Sequence, residues 1–160
     1  MVAVQETLTA APALLWHGSG DAGVLNLLPP ARSGWASDVL MAEDRTHAEM
    51  GDTTWSRLVY GKRDWLRLAE RWLADWLPPQ TQGRFLEVGG GLCYVSALVK
   101  RHRPGWHVTA TDVSIRYLQH HAVGVGAFME GSADWYAAAD AAHLPFEDQQ
   151  FDRVFSQIVL

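Results

Sequence analysis

The stretch that decides the fold of this chain is FLEVGGGLC, residues 85–93. Phe85, Leu86 and Val88 have the apolar character of a short buried strand, and three consecutive glycines follow them. Residues 94–99 then place apolar side chains on one side at helical spacing. A strand, a glycine turn and a helix in this order predict the first βα unit of an open α/β sheet.

Further strands follow this unit, and two of them end on an acidic residue. Residues 106–111 alternate apolar and polar side chains and lead to Asp112, and residues 135–139 lead to Asp140. A fourth predicted strand covers residues 153–160. Because the carboxyl ends of parallel strands meet at one edge of a sheet, a single ligand could contact all of these strand ends.

Two predicted helices connect these strands. The first ends in the basic run at residues 100–103, before Pro104, and cations near a helix C-terminus are favourable. We therefore interpret this run as a solvated helix end. Ser114 is a suitable N-cap for the second helix, which we expect to continue through His121.

Before residue 80 the chain divides into two parts of different character. Glycine and proline residues interrupt residues 1–51, so we predict a weakly structured region there. Residues 52–79 instead predict one or two amphipathic helices. Their apolar face consists of Trp65, Leu66, Ala69, Trp72, Leu73, Trp76 and Leu77. We expect this tryptophan-rich face to pack onto the sheet of residues 80–160, the predicted ligand-binding domain.

Composition excludes several classes of function. The chain has 160 residues and a net charge of −5, so it lacks the basic excess that binding to a nucleic acid backbone requires. Cys93 is its only cysteine, which excludes an intrachain disulfide and a four-thiolate zinc site. The apolar stretch at residues 10–16 is too short to cross a bilayer. We therefore expect a cytoplasmic protein without a nucleic acid or membrane partner.

The residues around the glycine turn restrict the chemistry of the ligand. A dinucleotide-binding turn has the pattern Gly-x-Gly-x-x-Gly, but Tyr94 occupies the position of its last glycine. Glu87 would repel a diphosphate and suits a cationic ligand. Asp112 follows the glycines by about 20 residues, the spacing of an acid that accepts hydrogen bonds from ribose hydroxyls. These features favour a cationic nucleoside over a nicotinamide dinucleotide.

Several segments together resemble the successive motifs of class I S-adenosylmethionine-dependent methyltransferases. They are FLEVGGG at residues 85–91, TDVS at residues 111–114, ADAAHLPF at residues 139–146 and FD at residues 151–152. The resemblance covers about the second half of the chain. It implies a Rossmann-like sheet whose first four strands have the order 3-2-1-4, with helices on both faces and an N-terminal helical region before it.

The resemblance also implies which residues contact the cofactor, S-adenosylmethionine. By position, the methionine portion would be lined by Glu87, Gly89 and Gly91, with Gly90 between them. Asp112 would accept hydrogen bonds from the ribose hydroxyls, and Val113 would lie against the adenine ring. Asp140 and Ala141 would contact the amino edge of adenine, and Gln157 would lie near the reactive methyl group. No residue is identified as catalytic, and no metal ligand is predicted. The methyl acceptor is unidentified.

The sequence departs from the family in two places. Cys93 stands where a third glycine is common, so its thiol could crowd the cofactor. The chain also stops at Leu160, so we expect a domain that is incomplete after the fourth strand, with this strand as an exposed edge.

Three functions stay open on the sequence alone. The first is a methyltransferase for which this chain supplies the cofactor-binding half. The second is a non-catalytic remnant or interaction module that self-associates, or binds a completing partner, through the exposed strand. The third is a nucleotide-dependent oxidoreductase with a degenerate turn, against which Tyr94 argues.

Overall fold

The computed structural model describes residues 23–28, 55–77, 79 and 82–157. Its strands are β1 (Val24–Asn26), β2 (Arg84–Val88), β3 (His107–Asp112), β4 (Trp135–Ala138) and β5 (Arg153–Ser156). Its helices are α1 (Trp55–Gly61), α2 (Arg63–Trp76), α3 (Tyr94–His102), α4 (Ile115–Tyr117) and α5 (Val123–Phe128), with a π-helical turn (Leu118–Ala122) joining α4 to α5. The protein is therefore an α/β protein, as predicted.

The five strands form one parallel sheet in the order β1-β4-β3-β2-β5. The four strands expected from the sequence have their predicted order, 3-2-1-4, within this sheet. β1 is an addition that the sequence analysis missed, since residues 1–51 were predicted to be weakly structured. It lies beside β4, with Val24 opposite Tyr136. The part of the predicted fourth strand at residues 158–160 lies outside the described residues.

The helical region before the sheet consists of two helices that meet at Lys62. In α2 the buried residues are Leu66, Ala69 and Leu73, whereas the side chain of Trp72 is 50% exposed. The expectation of a buried tryptophan face was thus wrong for Trp72. A stripe of leucine and alanine at steps of three and four lets the helix approach closely, and the bulkier indoles lie along its border.

The basic end of α3 is less solvated than predicted. The Lys100 Nζ lies 2.7 and 2.8 Å from the two carboxylate oxygens of Asp134 and donates to the carbonyl oxygen of Trp106 at 3.1 Å. Asp134 also accepts a hydrogen bond from the backbone amide of Val108 at 2.8 Å. Lys100 therefore ties the end of α3 to β3 and to the approach to β4.

Among the helices of the described ranges, none has both the length and the apolar character needed to cross a bilayer.

Candidate functional site

The glycine turn at the carboxyl end of β2 has two sides with different surroundings. A Cβ added at Gly90 would lie 2.9 Å from both the Cys93 Sγ and the Glu87 Cδ, so this position is closed by internal packing. A Cβ at Gly91 would meet no atom within 4 Å. Gly91 has a φ of 54°, in the left-handed region that glycine adopts without strain. The turn therefore presents its backbone to open space at Gly91, where a ligand can approach.

Glu87 is the penultimate residue of β2, just before this turn, and its side chain is buried. Its Oε2 accepts a hydrogen bond from the backbone amide of Ser96 at 2.8 Å, in the first turn of α3. Burial raises the pKa of Glu87 to about 7, although hydrogen bonds from Ser96 and Val95 act to lower it. The carboxyl group therefore caps α3 and stands close to its titration midpoint at neutral pH.

Asp112 at the end of β3 connects the glycine turn to the next helix. Its Oδ2 accepts a hydrogen bond from the amide of Gly91 at 2.8 Å, and its Oδ1 accepts one from the amide of Ser114 at 2.9 Å. Burial raises the pKa of Asp112, and the same backbone hydrogen bonds oppose that change. The predicted ribose acceptor thus also holds the turn in place, and half-buried Val113 lies beside it.

Asp140 follows β4, and two residues of its own loop contact its carboxylate. The Asp140 side chain is buried, and its Oδ1 accepts a hydrogen bond from the amide of Ala142 at 3.0 Å. Its Oδ2 lies 3.1 Å from the Nδ1 of His143, whose imidazole is largely exposed. Ala141, between them, is exposed. The pair predicted to contact adenine therefore lies in a short loop that projects from the edge of the sheet.

A cavity of about 290 Å³ opens at the carboxyl end of β2. Four of the predicted residues line it, and these are Glu87, Gly89, Gly90 and Gln157. The other predicted residues lie outside its lining. Gly91 and Asp112 adjoin it through their hydrogen bond, and Val113, Asp140 and Ala141 follow farther along the edge. The structure therefore places the predicted set along one edge of the sheet, with its cavity at the β2 end.

The residues predicted to contact the cofactor omitted four that line this cavity. They are Lys62, Trp65, Tyr94 and Phe155. Lys62 and Trp65 come from the junction of α1 and α2, and this junction meets the glycine turn only in the folded chain. Tyr94 carried a signal, because it begins the helix directly after the turn. Burial raises its pKa to about 12, so its phenol is neutral at physiological pH.

Cys93 directs its thiol away from this cavity. The residue is 2% exposed, and its Sγ lies 3.5 Å from the carbonyl oxygen of Gly91. Its φ of 53° is in the left-handed region, which glycine adopts more easily. Burial, together with the nearby Glu87 and Asp112, raises the pKa of the thiol well above its usual value. The thiol therefore lies in the interior, and Cys93 is not among the residues that line the cavity.

Within the ranges that the structure describes, no three histidine, cysteine, aspartate or glutamate side chains lie together as a set of metal ligands.

Comparison with known proteins finds a family similarity in the second half of the chain. Residues 86–160 match the profile of the family described as Methyltransferase domain. This segment is therefore similar to methyltransferase domains. The matched residues begin in β2 and include the glycine turn, Asp112 and the Asp140 loop.

Solved structures from several organisms are similar to part of this chain. The PH0226 protein of Pyrococcus horikoshii has 25% identity, with 57% of this chain and 41% of that chain covered and a TM-score of 0.48. The YcgJ protein of Bacillus subtilis has 14% identity, with coverages of 57% and 38% and a TM-score of 0.45.

Phosphoethanolamine N-methyltransferase 2 of Haemonchus contortus, solved in complex with S-adenosyl-L-methionine, has 21% identity, with 67% of this chain and 27% of that chain covered and a TM-score of 0.45. The chain thus spans less than half the length of each of these three structures. No curated protein matches it.

Proposed function

We propose that this domain binds S-adenosylmethionine at the carboxyl edge of its sheet and serves methyl transfer to an acceptor. The observation that carries this proposal is the cavity wall formed by Glu87 and the glycine turn, with Asp112 bonded to the same turn at 2.8 Å. The bound cofactor supplies an electrophilic methyl group on a cationic sulfur. The protein would hold the cofactor, align the acceptor with that methyl group and exclude water.

The order of the strands supports one orientation of the cofactor. From β5 to β4 the edge carries Gln157, Glu87, Asp112 and Asp140 in turn. Neighbouring strands lie about 4.8 Å apart, so three steps between strands span about 14 Å, which suits an extended nucleoside ligand. In this orientation the methionine portion lies in the cavity, the ribose hydroxyls face Asp112, and the adenine ring lies between Val113 and the loop of Asp140 and Ala141.

Titration calorimetry tests the proposal directly. We expect the folded chain to bind S-adenosylhomocysteine, the demethylated product. The variant Asp112→Asn should weaken this binding by about 1–3 kcal/mol, because one carboxylate oxygen becomes an amide donor.

Asp152→Asn is a matched control for that variant. Asp152 also accepts a backbone hydrogen bond, from Arg84 at 2.7 Å, but it does so at the opposite end of β2. We expect its affinity for S-adenosylhomocysteine to equal that of the wild type. Absence of binding heat with the folded wild-type chain would refute the cofactor, whereas equal losses in both variants would refute the role of Asp112. A reduced nicotinamide dinucleotide, titrated in the same way, should give no signal.

A second candidate function is docking of a partner through β5 and the exposed side of α2. Val154 of β5 is 52% exposed, and an apolar cavity of about 240 Å³ lies between α2 and Phe155. In the described part of the chain, β5 is an edge strand, and unpaired edges favour pairing with further strands. Light scattering should then detect association that Val154→Lys reduces. A monomer at all concentrations would count against self-association.

A further inference from the structure

Lys62 occupies a fixed position at the mouth of the cavity. It joins α1 to α2, where its amide donates to the carbonyl oxygen of Val59 at 3.0 Å and its carbonyl oxygen accepts from the amide of Leu66 at 2.9 Å. Its side chain lines the same cavity as Glu87. The backbone therefore holds this lysine where a cation can reach a ligand that lies against the glycine turn.

The Lys62 side chain is exposed and takes no part in capping the helix that it precedes. Lys62 is the N-cap of α2 but forms no side-chain capping bond, and a cation near a helix N-terminus is electrostatically unfavourable. Asp64 in the next turn lies 3.8 Å from Arg63 and from Arg67 instead. Among the described residues, no carboxylate lies within ion-pair distance of the Lys62 ammonium. The Lys62 ammonium is therefore available to a ligand in the cavity that this residue lines.

The cavity thus combines one cation and one carboxyl group on different walls. Glu87 already accepts the Ser96 amide, and no ion pair joins it to Lys62. The space between them suits a ligand end that carries both a carboxylate and an ammonium group. We propose that Lys62 binds the carboxylate of the methionine portion of S-adenosylmethionine, while Glu87 faces its ammonium group. This inference rests on the proposed function and assigns a cofactor contact to the helices before the sheet.

Decarboxylated S-adenosylmethionine provides a selective test, because it differs from S-adenosylmethionine only in the carboxylate. Calorimetry would measure the dissociation constants of both compounds for the wild type and for Lys62→Met, which keeps the length of the side chain and removes its charge. Arg63→Met is the matched control, since Arg63 is an adjacent exposed cation outside the cavity lining. Lys62→Arg tests whether any cation suffices.

We expect the wild type to bind S-adenosylmethionine about 10-fold to 100-fold more tightly than the decarboxylated compound, the range for a charge-assisted hydrogen bond. Lys62→Met should bind the two compounds within about threefold of each other. Lys62→Arg should retain most of the difference, and Arg63→Met all of it. Affinity for 5′-methylthioadenosine, which lacks the amino-acid end, should be the same in every variant.

Other results would overturn the inference in distinguishable ways. If Lys62→Met keeps the wild-type preference for the carboxylate, Lys62 does not bind it, and an anionic group on the acceptor becomes the alternative ligand. If the variant weakens both compounds and 5′-methylthioadenosine equally, Lys62 acts on the structure of the site. If the folded wild type binds none of the three compounds, the proposed function itself fails.

Discussion

The carboxyl edge of the sheet and the outer face of the molecule differ in the burial and hydrogen bonding of their side chains. We use "outer face" for Trp72 of α2 together with Val154 of β5. At the carboxyl edge, Glu87, Asp112 and Asp140 are all buried, and each accepts a hydrogen bond from a backbone amide. On the outer face, both side chains are about half exposed. The edge is thus complete within the described residues, whereas the outer face presents apolar surface.

Under the proposed function, the same groups at the edge serve both folding and ligand binding. A carboxylate that accepts hydrogen bonds from two backbone amides stabilises the turn before any ligand binds. The site is therefore oriented in advance. The outer face does not have this dual role. Substitutions at the edge should therefore change both stability and ligand affinity, whereas substitutions on the outer face should change association more than stability.

The largest effect should appear in the pH dependence of stability. Glu87 has a pKa of about 7 in the folded chain, above its ordinary value of 4.5. The folded state therefore holds more protons than the unfolded state between these values, and the free energy of unfolding should fall as pH rises through this window. The contribution of Glu87 is fully present below pH 4.5, and up to about 3 kcal/mol is lost by pH 7.

Glu87→Gln isolates that contribution, since the amide oxygen can still accept from Ser96 but the group no longer titrates. Urea denaturation of both proteins at several pH values between 4.5 and 7.5 would measure it. We expect the wild type to lose stability relative to the variant as pH rises. Parallel curves would show that Glu87 is ordinarily ionised in the folded chain.

The second effect concerns the two hydrogen bonds that Asp112 accepts from backbone amides. Asp112→Ala should lower the free energy of unfolding by about 1–3 kcal/mol, because the amides of Gly91 and Ser114 lose their acceptor. Asp148→Ala, at an exposed position in the loop after β4, should change it by less than about 0.5 kcal/mol. Equal stabilities for the two variants would contradict the dual role of the edge.

A smaller effect is expected at Cys93, on the inner side of the turn. Cys93→Thr should cost about 1–2 kcal/mol, because a β-branched residue is strained at a φ of 53°. Cys93→Gly should stay within about 1 kcal/mol of the wild type, since relief of backbone strain offsets the lost burial. Thermal unfolding compares the two. If Cys93→Thr is as stable as Cys93→Gly, the turn changes its backbone conformation to relieve the strain.

The smallest effect on stability should come from the outer face. Val154→Thr keeps the β-branched shape at a half-exposed position, so we expect a change within about 0.5 kcal/mol. Denaturation measures this change, and sedimentation would measure any accompanying loss of association. A destabilisation as large as that of Asp112→Ala would mean that Val154 is covered in solution.

Most of the sheet followed from the sequence, because short apolar runs before a glycine turn and before acidic residues define strands locally. β1 could not be predicted in this way. It has three residues, too few for a periodic pattern, and its pairing with β4 depends on contacts between distant parts of the chain. The prediction for α2 was wrong for Trp72, because spacing alone does not distinguish the buried Leu66 stripe from the neighbouring stripe of Trp72.

The candidate site was predictable to the extent that its residues lie at strand ends. The bond from Asp112 to Ser114 is a local turn that aspartate commonly forms two residues ahead, so the sequence carried its signal. The bond from Asp112 to Gly91 depends on β2 lying beside β3. Lys62 and Trp65 depend on where α1 and α2 meet the sheet, and no sequence spacing encodes that approach.

The position of β1 has a consequence for the order of folding. Its partner β4 comes from the other end of the described chain, so their pairing requires closure of a long loop, and parallel pairings of this kind form slowly. The glycine turn and α3, by contrast, connect β2 to β3, which are close to each other in the sequence. β1 should therefore dock after the strands beside β2 have assembled, and its amides should exchange with solvent faster than those of β2 and β3. Exchange of the β1 amides would then measure the last step of folding, whereas the glycine turn should form in an early step.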